Sequence, residues 1–443
     1  MQRDLTKGPI TRTLLIFAVP MILGNLLQQL YNIADTLIVG RFLGAGALAA
    51  VGSAYTLMTF LTSILLGLCL GSGALVSILF GQKNEEKLKN TVFQSFCLIG
   101  GIALLLTLIV FCLMDPILHI LQIPSEIYTL MRDYVKIIFI GIVFTFLYNY
   151  CACMLRALGN SLAPLLFLLV SALVNIGLDL WFVIGLGWGV SGAATATVIA
   201  QGLSGVGIVI YTLLKGKTLL PSRRHASFDR QGFREIFNYS FLTCMQQSVM
   251  NLGILMVQGL VNSFGTVVMA AFAAAVKIDS FAYMPVQDFG NAFSSFAAQC
   301  YGAKAYDRVK KGIRSAAITA IIFCVTVSVV VWIAARPLLS IFIDSGETAI
   351  LDVGVSYLRI EGAFYVGIGL LFLLYGLYRA IAKPGMSVVL TVISLGTRVL
   401  LAYVLSAVPA IGVIGIWAAI PIGWFLADLF GFIYYHYKKP LRG

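Results

Sequence analysis

Residues 25–35 read NLLQQLYNIAD and lie inside an otherwise apolar run from Ile10 to Gly40. At 3.6 residues per turn, Asn25, Gln28, Asn32 and Asp35 fall within roughly a quarter turn of one another, on one helical face. The run is long enough to cross a bilayer, which takes about 20 residues. A carboxylate at mid-bilayer costs about 2.5 to 3.5 kcal/mol on insertion scales, so this stripe faces a bundle interior or a wet cavity. A transport site is therefore its first functional reading.

The composition agrees. Of 443 residues, 60% are hydrophobic and 11% charged, which is too apolar for a soluble enzyme of this length. The 43 glycines fit close helix packing in lipid, as in Gly40-x-x-x-Gly44 and Gly67-x-x-x-Gly71. The net charge of +12 sits in short loops between apolar spans, where topology explains it and nucleic-acid binding does not. Eight cysteines lie almost wholly within apolar runs and have neither secreted-domain nor zinc spacing, so they read as small buried hydrophobes. Cys151-x-Cys153 is the only metal clip the spacing allows, and no other ligand type stands beside it. No cleavable signal peptide is expected, so the first helix is retained.

Apolar runs predict twelve spans, at approximately 12–39, 47–80, 91–114, 128–154, 162–184, 190–214, 234–262, 266–300, 313–335, 354–381, 386–407 and 411–436. Residues 215–232 form a polar, basic linker containing Pro221, Arg223, Arg224 and Arg230, and divide a first lobe (1–214) from a second (233–443). Basic residues cluster at the N-terminus (Arg3, Lys7, Arg12), after the second span (Lys83, Lys87, Lys89), in the linker, and after the eighth (Lys304, Arg308, Lys310, Lys311, Arg314). Arg156, Arg379, Lys383, Lys438, Lys439 and Arg442 fall on the same side, against Arg41, Arg132 and Arg336 on the other. The positive-inside rule then places both termini in the cytoplasm and the chain in the cell's inner (plasma) membrane.

The two halves repeat. Leu155-Arg156-Ala157-Leu158-Gly159 returns 223 residues later as Tyr378-Arg379-Ala380-Ile381-Ala382, and Gly189-Val190-Ser191-Gly192 returns as Gly412-Val413-Ile414-Gly415. Phe80-Gly81-Gln82-Lys83 echoes Tyr301-Gly302-Ala303-Lys304. Six spans per half make the repeats parallel and predict two pseudo-symmetric lobes with a cleft for a central site.

Asn175 and Asp179 are four residues apart on the fifth span and share a face; Thr197 and Gln201 on the sixth complete a polar cluster with Asp35. Two carboxylates sharing a poorly solvated cavity repel, which makes a site that a proton or a cation neutralises in turn. The structural alternative is that Asp179 caps a helix end or reaches the interface beside Trp181. Pro20 removes a backbone hydrogen bond from the first span and is a candidate hinge. In the second half, the seventh span carries Gln246, Gln247, Asn251, Gln258 and Asn262; Lys277, Asp279 and Asp288 lie on the eighth and Arg398 on the eleventh. Lys277 and Asp279 read as balancing one another or neighbouring helices, and Arg359 and Glu361 as snorkelling to the interface. The chain has no Walker-type loop and no His-containing catalytic cluster in any span, which argues against an ATPase and against an intramembrane enzyme.

Several strings together resemble the multidrug and toxic compound extrusion (MATE) transporters: Phe17-Ala18-Val19-Pro20, Ala34-Asp35-Thr36, Val39-Gly40-Arg41, Leu155 to Gly159, Asn175-x-x-x-Asp179 and Gly189-Val190-x-Gly192-Ala193-Ala194. The resemblance covers nearly the whole chain. It implies an all-α integral membrane protein, twelve helices in two six-helix lobes arranged as a V, with drug extrusion driven by H+ or Na+ antiport. In the DinF-like branch the cation site lies in the first lobe, where Asp35, Asn175, Asp179 and Thr197 stand; Pro20, Gln28 and Tyr31 resemble positions that bend or line the cavity. The NorM-like branch adds acids on the seventh and tenth helices, and around Gly367 to Leu371 this chain has none, which favours the DinF-like branch and coupling in the first lobe alone.

The expectation is a secondary active antiporter for amphipathic, cationic compounds, with Met21, Asn25, Gln28, Tyr31, Asn32, Met154, Phe167 and Gln201 lining its substrate cavity. Apolar and aromatic walls suit varied shapes. A lipid-linked oligosaccharide flippase of the same wider superfamily is the alternative; an acidic cavity argues against its pyrophosphate. The expected partners are small molecules and the bilayer, with no cofactor beyond the coupling ion, no metal beyond Na+ at the Asp35 site, no ATPase subunit, and a monomeric chain.

Overall fold

The computed structural model describes residues 4–441 except 121–124, 223 and 226; Arg3, Arg223 and Arg442, counted above among the loop charges, lie outside the described residues. The described residues are helical, with ten helices long and apolar enough to cross a membrane and two further bent pairs that bring the number to twelve. The first six spans are Ile10–Gly44, Gly46–Gly81, Glu85–Cys112, the pair Ser125–Ile140 and Ile142–Ala157, Leu162–Gly185, and Gly189–Lys215. The last six are Arg230–Asn262, Thr266–Gly302, Tyr306–Leu339, the pair Thr348–Gly362 and Tyr365–Ala380, Pro384–Ser406, and Val413–Lys438. Large apolar side chains stand open on their outer faces, with Leu173 64%, Leu214 67% and Ile333 70% exposed. Exposure on that scale is what lipid contact requires and what water does not tolerate in bulk.

Three-dimensional packing gathers the chain into two compact units, one of Leu23–Cys244 with Asp4, the other of Leu5–Ile22 with Met245 onward. The linker belongs to the first unit because side chains of the third span hold it: Asn90 Nδ2 donates to the carbonyls of His225 and Ser227, at 3.0 and 2.7 Å. His225 Nε2 meets Glu86 Oε2 at 2.7 Å. Residues 5–8 belong to the second unit for a similar reason, since Arg308 donates to the carbonyls of Leu5, Lys7 and Gly8. The first span changes unit between Ile22 and Leu23, and its backbone stays helical through Pro20.

The repeat is written into the backbone. Gly44 and Gly265 have φ of 85° and 91°, Lys83 and Lys304 both 57°, Gly159 and Ala382 81° and 63°, Gly189 and Gly412 60° and 52°. Left-handed φ strains any residue with a Cβ, so its recurrence at matching turns marks a shared design. The fourth and tenth spans also break alike, bending by 43° at Gly141 and by 51° between Gly362 and Tyr365.

Of the two Gly-x-x-x-Gly pairs, only one packs helices. A Cβ on Gly67 meets Cys244 Cα at 2.7 Å, and one on Gly71 strikes the carbonyl of Tyr239, so the second and seventh spans cross backbone to backbone. A Cβ on Gly44 meets nothing within 4 Å; this residue is instead the left-handed turn between the first two spans. Five of the eight free cysteines are buried, whereas Cys97 and Cys112 are exposed on the third span. Among the described residues, no group of three or more His, Cys, Asp or Glu side chains is placed to hold a metal ion.

Candidate functional site

In the first unit, three spans converge on the acids singled out in the sequence. Asp179 is fully buried, at the point where the fifth span passes from α-helix into a wider π turn over Leu180–Gly185. π turns recur at functional sites because they displace side chains from helical register. Burial removes the reading of Asp179 as an interfacial residue beside Trp181, whose ring is 59% exposed. Asp35 from the first span lies within hydrogen-bonding reach of Asp179. Asp35 Oδ1 and both Asp179 oxygens are buried with no donor among the described residues.

One turn earlier, Asn175 Nδ2 donates to Thr197 Oγ1 at 3.4 Å, and Thr197 donates in turn to the Ala193 carbonyl at 3.0 Å. This leaves Asn175 Oδ1 without a donor as well. Asp35, Asn175, Asp179 and Thr197 therefore form one cluster whose open valences are all oxygen lone pairs. Two carboxylates cannot hydrogen-bond each other unless one carries a proton.

Around it stand Tyr31, whose electrostatic neighbours include Gln28, Asp35, Tyr55 and Tyr148, and Tyr134, which faces Asp35, Asp179 and Tyr31. Tyr134 escapes the sequence reading because Met131, Tyr134, Val135 and Ile138 share one helical face and look like plain core. Gln201 sits against the break in the fourth span, where its Oε1 occupies the space a Cβ on Gly141 would need. Asn25, Tyr31 and Asn32 are half-buried and Gln28 is exposed; Met154 is packed in the core of Ile142–Ala157, and Phe167 lies edge-on to Tyr211 at 5.8 Å. Met21 is buried and falls, with Pro20, in the second unit.

The second unit departs from expectation. Lys277 does not pair with Asp279; it is exposed, with its ammonium 5.7 Å from the centre of the Phe342 ring. Glu361 does not snorkel, being only 2% exposed, because the bend after Gly362 turns its side chain inward. Asp279 and Glu361 share a cavity wall with Arg398. Buried acids are therefore present in both units. Arg359 does reach outward, over the Trp332 ring at 4.9 Å.

Up to twelve apolar spans with acids buried at depth define a multi-pass membrane protein, and its family is one of transporters, not enzymes. The chain belongs to the MatE family, whose model matches residues 20–181 and 239–404. It is 29% identical over 441 residues to the probable multidrug resistance protein YpnP of Bacillus subtilis (strain 168), covering 98% of this chain and 97% of that one. Its fold matches a solved structure described as the outward-facing conformation of a multidrug resistance MATE family transporter of the MOP superfamily, with a TM-score of 0.93, 23% identity, and 99% and 98% of the two chains covered. A structure of a MATE protein in the bent conformation matches with a TM-score of 0.92, 23% identity, and 99% and 97% coverage.

Proposed function

We propose that this protein is a secondary active multidrug efflux antiporter that exports amphipathic, cationic organic compounds in exchange for H+ or Na+ by alternating access. The observation that carries this reading is the Asp35–Asp179 pair, in which Asp35 Oδ1 and both Asp179 oxygens are buried without donors among the described residues. With both carboxylates ionised, the cluster attracts an organic cation. A proton arriving from outside binds between them, halves their negative charge, weakens that attraction, and releases the drug; losing the proton to the cytoplasm resets the site. Na+ would be held through the same oxygens of Asp35, Asp179 and Asn175, as suits a hard cation. Pro20 lies two residues before the first span changes unit, which suits a hinge between them. The chain works as a monomer in the inner membrane, termini in the cytoplasm, without an ATPase subunit.

Dye efflux from vesicles, with H+ and Na+ gradients imposed separately, tests the reading. One gradient alone is expected to drive efflux, and Asp35→Asn is expected to abolish the driven component while the protein remains inserted. Driven efflux at wild-type rate in that variant would overturn the mechanism.

A further inference from the structure

We propose that the first unit carries a binding site for a singly charged anionic phospholipid, of the phosphatidylglycerol type, where the start of the seventh span meets the start of the third. Neither Asp35 nor Asp179 takes part in it, so the site holds whatever drives efflux. Lys87 of the third span and Gln231, Arg234, Glu235, Phe237 and Asn238 of the seventh line one open pocket of about 690 Å3. That lies within the range of about 300–1,000 Å3 that suits a small-molecule ligand. Its polar groups are mostly donors: an ammonium, a guanidinium and two amides, the set that phosphate oxygens take.

The pocket stands at headgroup depth. The seventh span, Arg230–Asn262, has 33 residues and rises about 50 Å, whereas the hydrocarbon core is about 30 Å thick. Shared between its ends, the excess leaves about 10 Å, or two turns, outside the core, which sets Arg230 and Arg234 among headgroups and Phe237 at the boundary. Arg234, Phe237 and Phe241 follow one another at three and four residues and share a face. Phe237 and Phe241 are 45% and 44% exposed, and their rings stack at 5.3 Å with planes 8° apart. The other side of the helix is taken, since Tyr239 and Ser240 lie against Gly71, and Thr243 and Cys244 against Gly67. A cation above two stacked rings on an outward face matches a headgroup above its acyl chain.

Charge selects the headgroup. Lys87 Nζ meets Glu235 Oε2 at 2.7 Å, which leaves the Arg234 guanidinium as the pocket's uncompensated charge. Nearby acids are engaged elsewhere: Glu85 with Lys89 at 3.7 Å, Glu86 with His225 at 2.7 Å, and Asp229 with the backbone amides of Gln231 and Gly232 at 3.2 and 2.8 Å. Asp229 thereby takes donors of the helix end, so the pocket's own side chains supply the contacts. One net positive charge matches a phosphodiester with one negative charge. A zwitterionic headgroup brings no net charge, and a free phosphate has no acyl chain to lay on Phe237 and Phe241.

Native mass spectrometry of the purified full-length protein tests this, with phosphatidylglycerol, phosphatidylethanolamine and glycerol phosphate offered separately at equal concentration. Phosphatidylglycerol is expected to be retained in preference to both, and Arg234→Gln to lower its occupancy about fivefold, the weight of one basic residue near an anionic lipid surface. Glu235→Gln, which frees Lys87, is expected to raise occupancy by a similar factor, an outcome that damage to the fold would not produce. Equal retention of phosphatidylethanolamine, or unchanged occupancy in Arg234→Gln, overturns the site. Glycerol phosphate held as tightly as the lipid assigns the pocket to a soluble anion and overturns it too. A phosphatidylglycerol carrying a diazirine near the head of its acyl chain needs no variant to fold. Crosslinks within residues 234–241 of the unsubstituted protein support the proposal; crosslinks confined to other segments defeat it.

Discussion

Asn175 and Arg398 occupy the same place in the repeat, 223 residues apart on the fifth and eleventh spans; Asn175 stands one turn before Asp179, and Arg398 lines a cavity with Asp279 and Glu361. In the first unit the acids are Asp35 and Asp179, and the neighbour is a neutral amide; in the second they are Asp279 and Glu361, and the neighbour is a fixed cation. The backbone frame is shared down to the left-handed turns and the broken fourth and tenth spans. The charge is not. A duplicated scaffold thus sets where a site can be buried, while single side chains decide how much charge it must acquire from outside to become neutral: up to two units in the first unit and one in the second.

The sharpest way to break this comparison is to give the first unit the second unit's cation. Asn175→Arg is expected to place a guanidinium beside Asp35 and Asp179, to satisfy their oxygens permanently, and to reduce gradient-driven dye efflux at least tenfold, which is about 1.4 kcal/mol of barrier. Asp35→Asn is expected to match it. Comparable efflux in Asn175→Arg and wild type, at equal levels in the membrane, would show that charge at this repeat position does not separate the units.

A smaller effect is expected where the scaffold itself is tight. In Gly71→Ala the new methyl group meets the Tyr239 carbonyl, and overpacking of this kind costs about 1–3 kcal/mol. Gly44→Ala, at a turn with open space, is expected to cost about 1–2 kcal/mol through its positive φ alone. Thermal unfolding in detergent, with lipid added back, separates the two: lipid that tightens helix packing is expected to rescue neither turn strain nor its loss of Tm, but to narrow the Gly71→Ala deficit.

These contrasts also mark what the sequence could carry. The twelve spans, and the placing of Asn175 and Asp179 on one face, follow from hydropathy and a 3.6-residue period, which are local properties. Gly44 and Gly71 show the limit of that kind of evidence, because four-residue spacing is the same whether a glycine admits a neighbouring helix or turns the chain. Glu361 shows another: near the end of an apolar run, an acid looks interfacial until the bend after Gly362 directs it inward. The Asp279, Glu361 and Arg398 set joins three spans, and no periodicity reports contacts between residues more than a hundred positions apart. Tyr134 was hidden for the opposite reason, its aromatic ring fitting the core pattern of its own helix too well.

Turns offer a gentler test of the repeat. Gly159 and Ala382 hold equivalent left-handed positions, φ 81° and 63°, so matched exchanges should have opposite signs. Gly159→Ala is expected to destabilise by about 1 kcal/mol and Ala382→Gly to be neutral or stabilising by a similar amount, read as shifts in Tm. Equal signs would mean that the two turns are constrained by different surroundings despite the common backbone.

The smallest effect is expected at an ion pair whose polarity the two units exchange. In the first, Arg132 grips Asp115 with Nε and a terminal nitrogen, at 2.8 and 3.2 Å; in the second, the arginine comes first in the chain, and Arg336 meets Asp352 at 3.1 Å. The first pair ties the segment after the third span, and the second the end of the ninth span, to the first arm of the bent span that follows. The Arg132 guanidinium, with the Tyr128 hydroxyl, holds the Asp115 carboxyl below the usual carboxylate range. A carboxyl lowered in this way adds stability that is complete above its unfolded value, near pH 4, and is lost as the pH falls through the lower folded value. Solvent screens so exposed a pair, so Asp115→Asn is expected to lower Tm only slightly at neutral pH, with the gap from wild type closing on acidification. Since neutral and acidic Tm values come from the same protein, a gap that persists unchanged below pH 3 would assign the loss to altered packing and leave the exchanged polarity without energetic meaning.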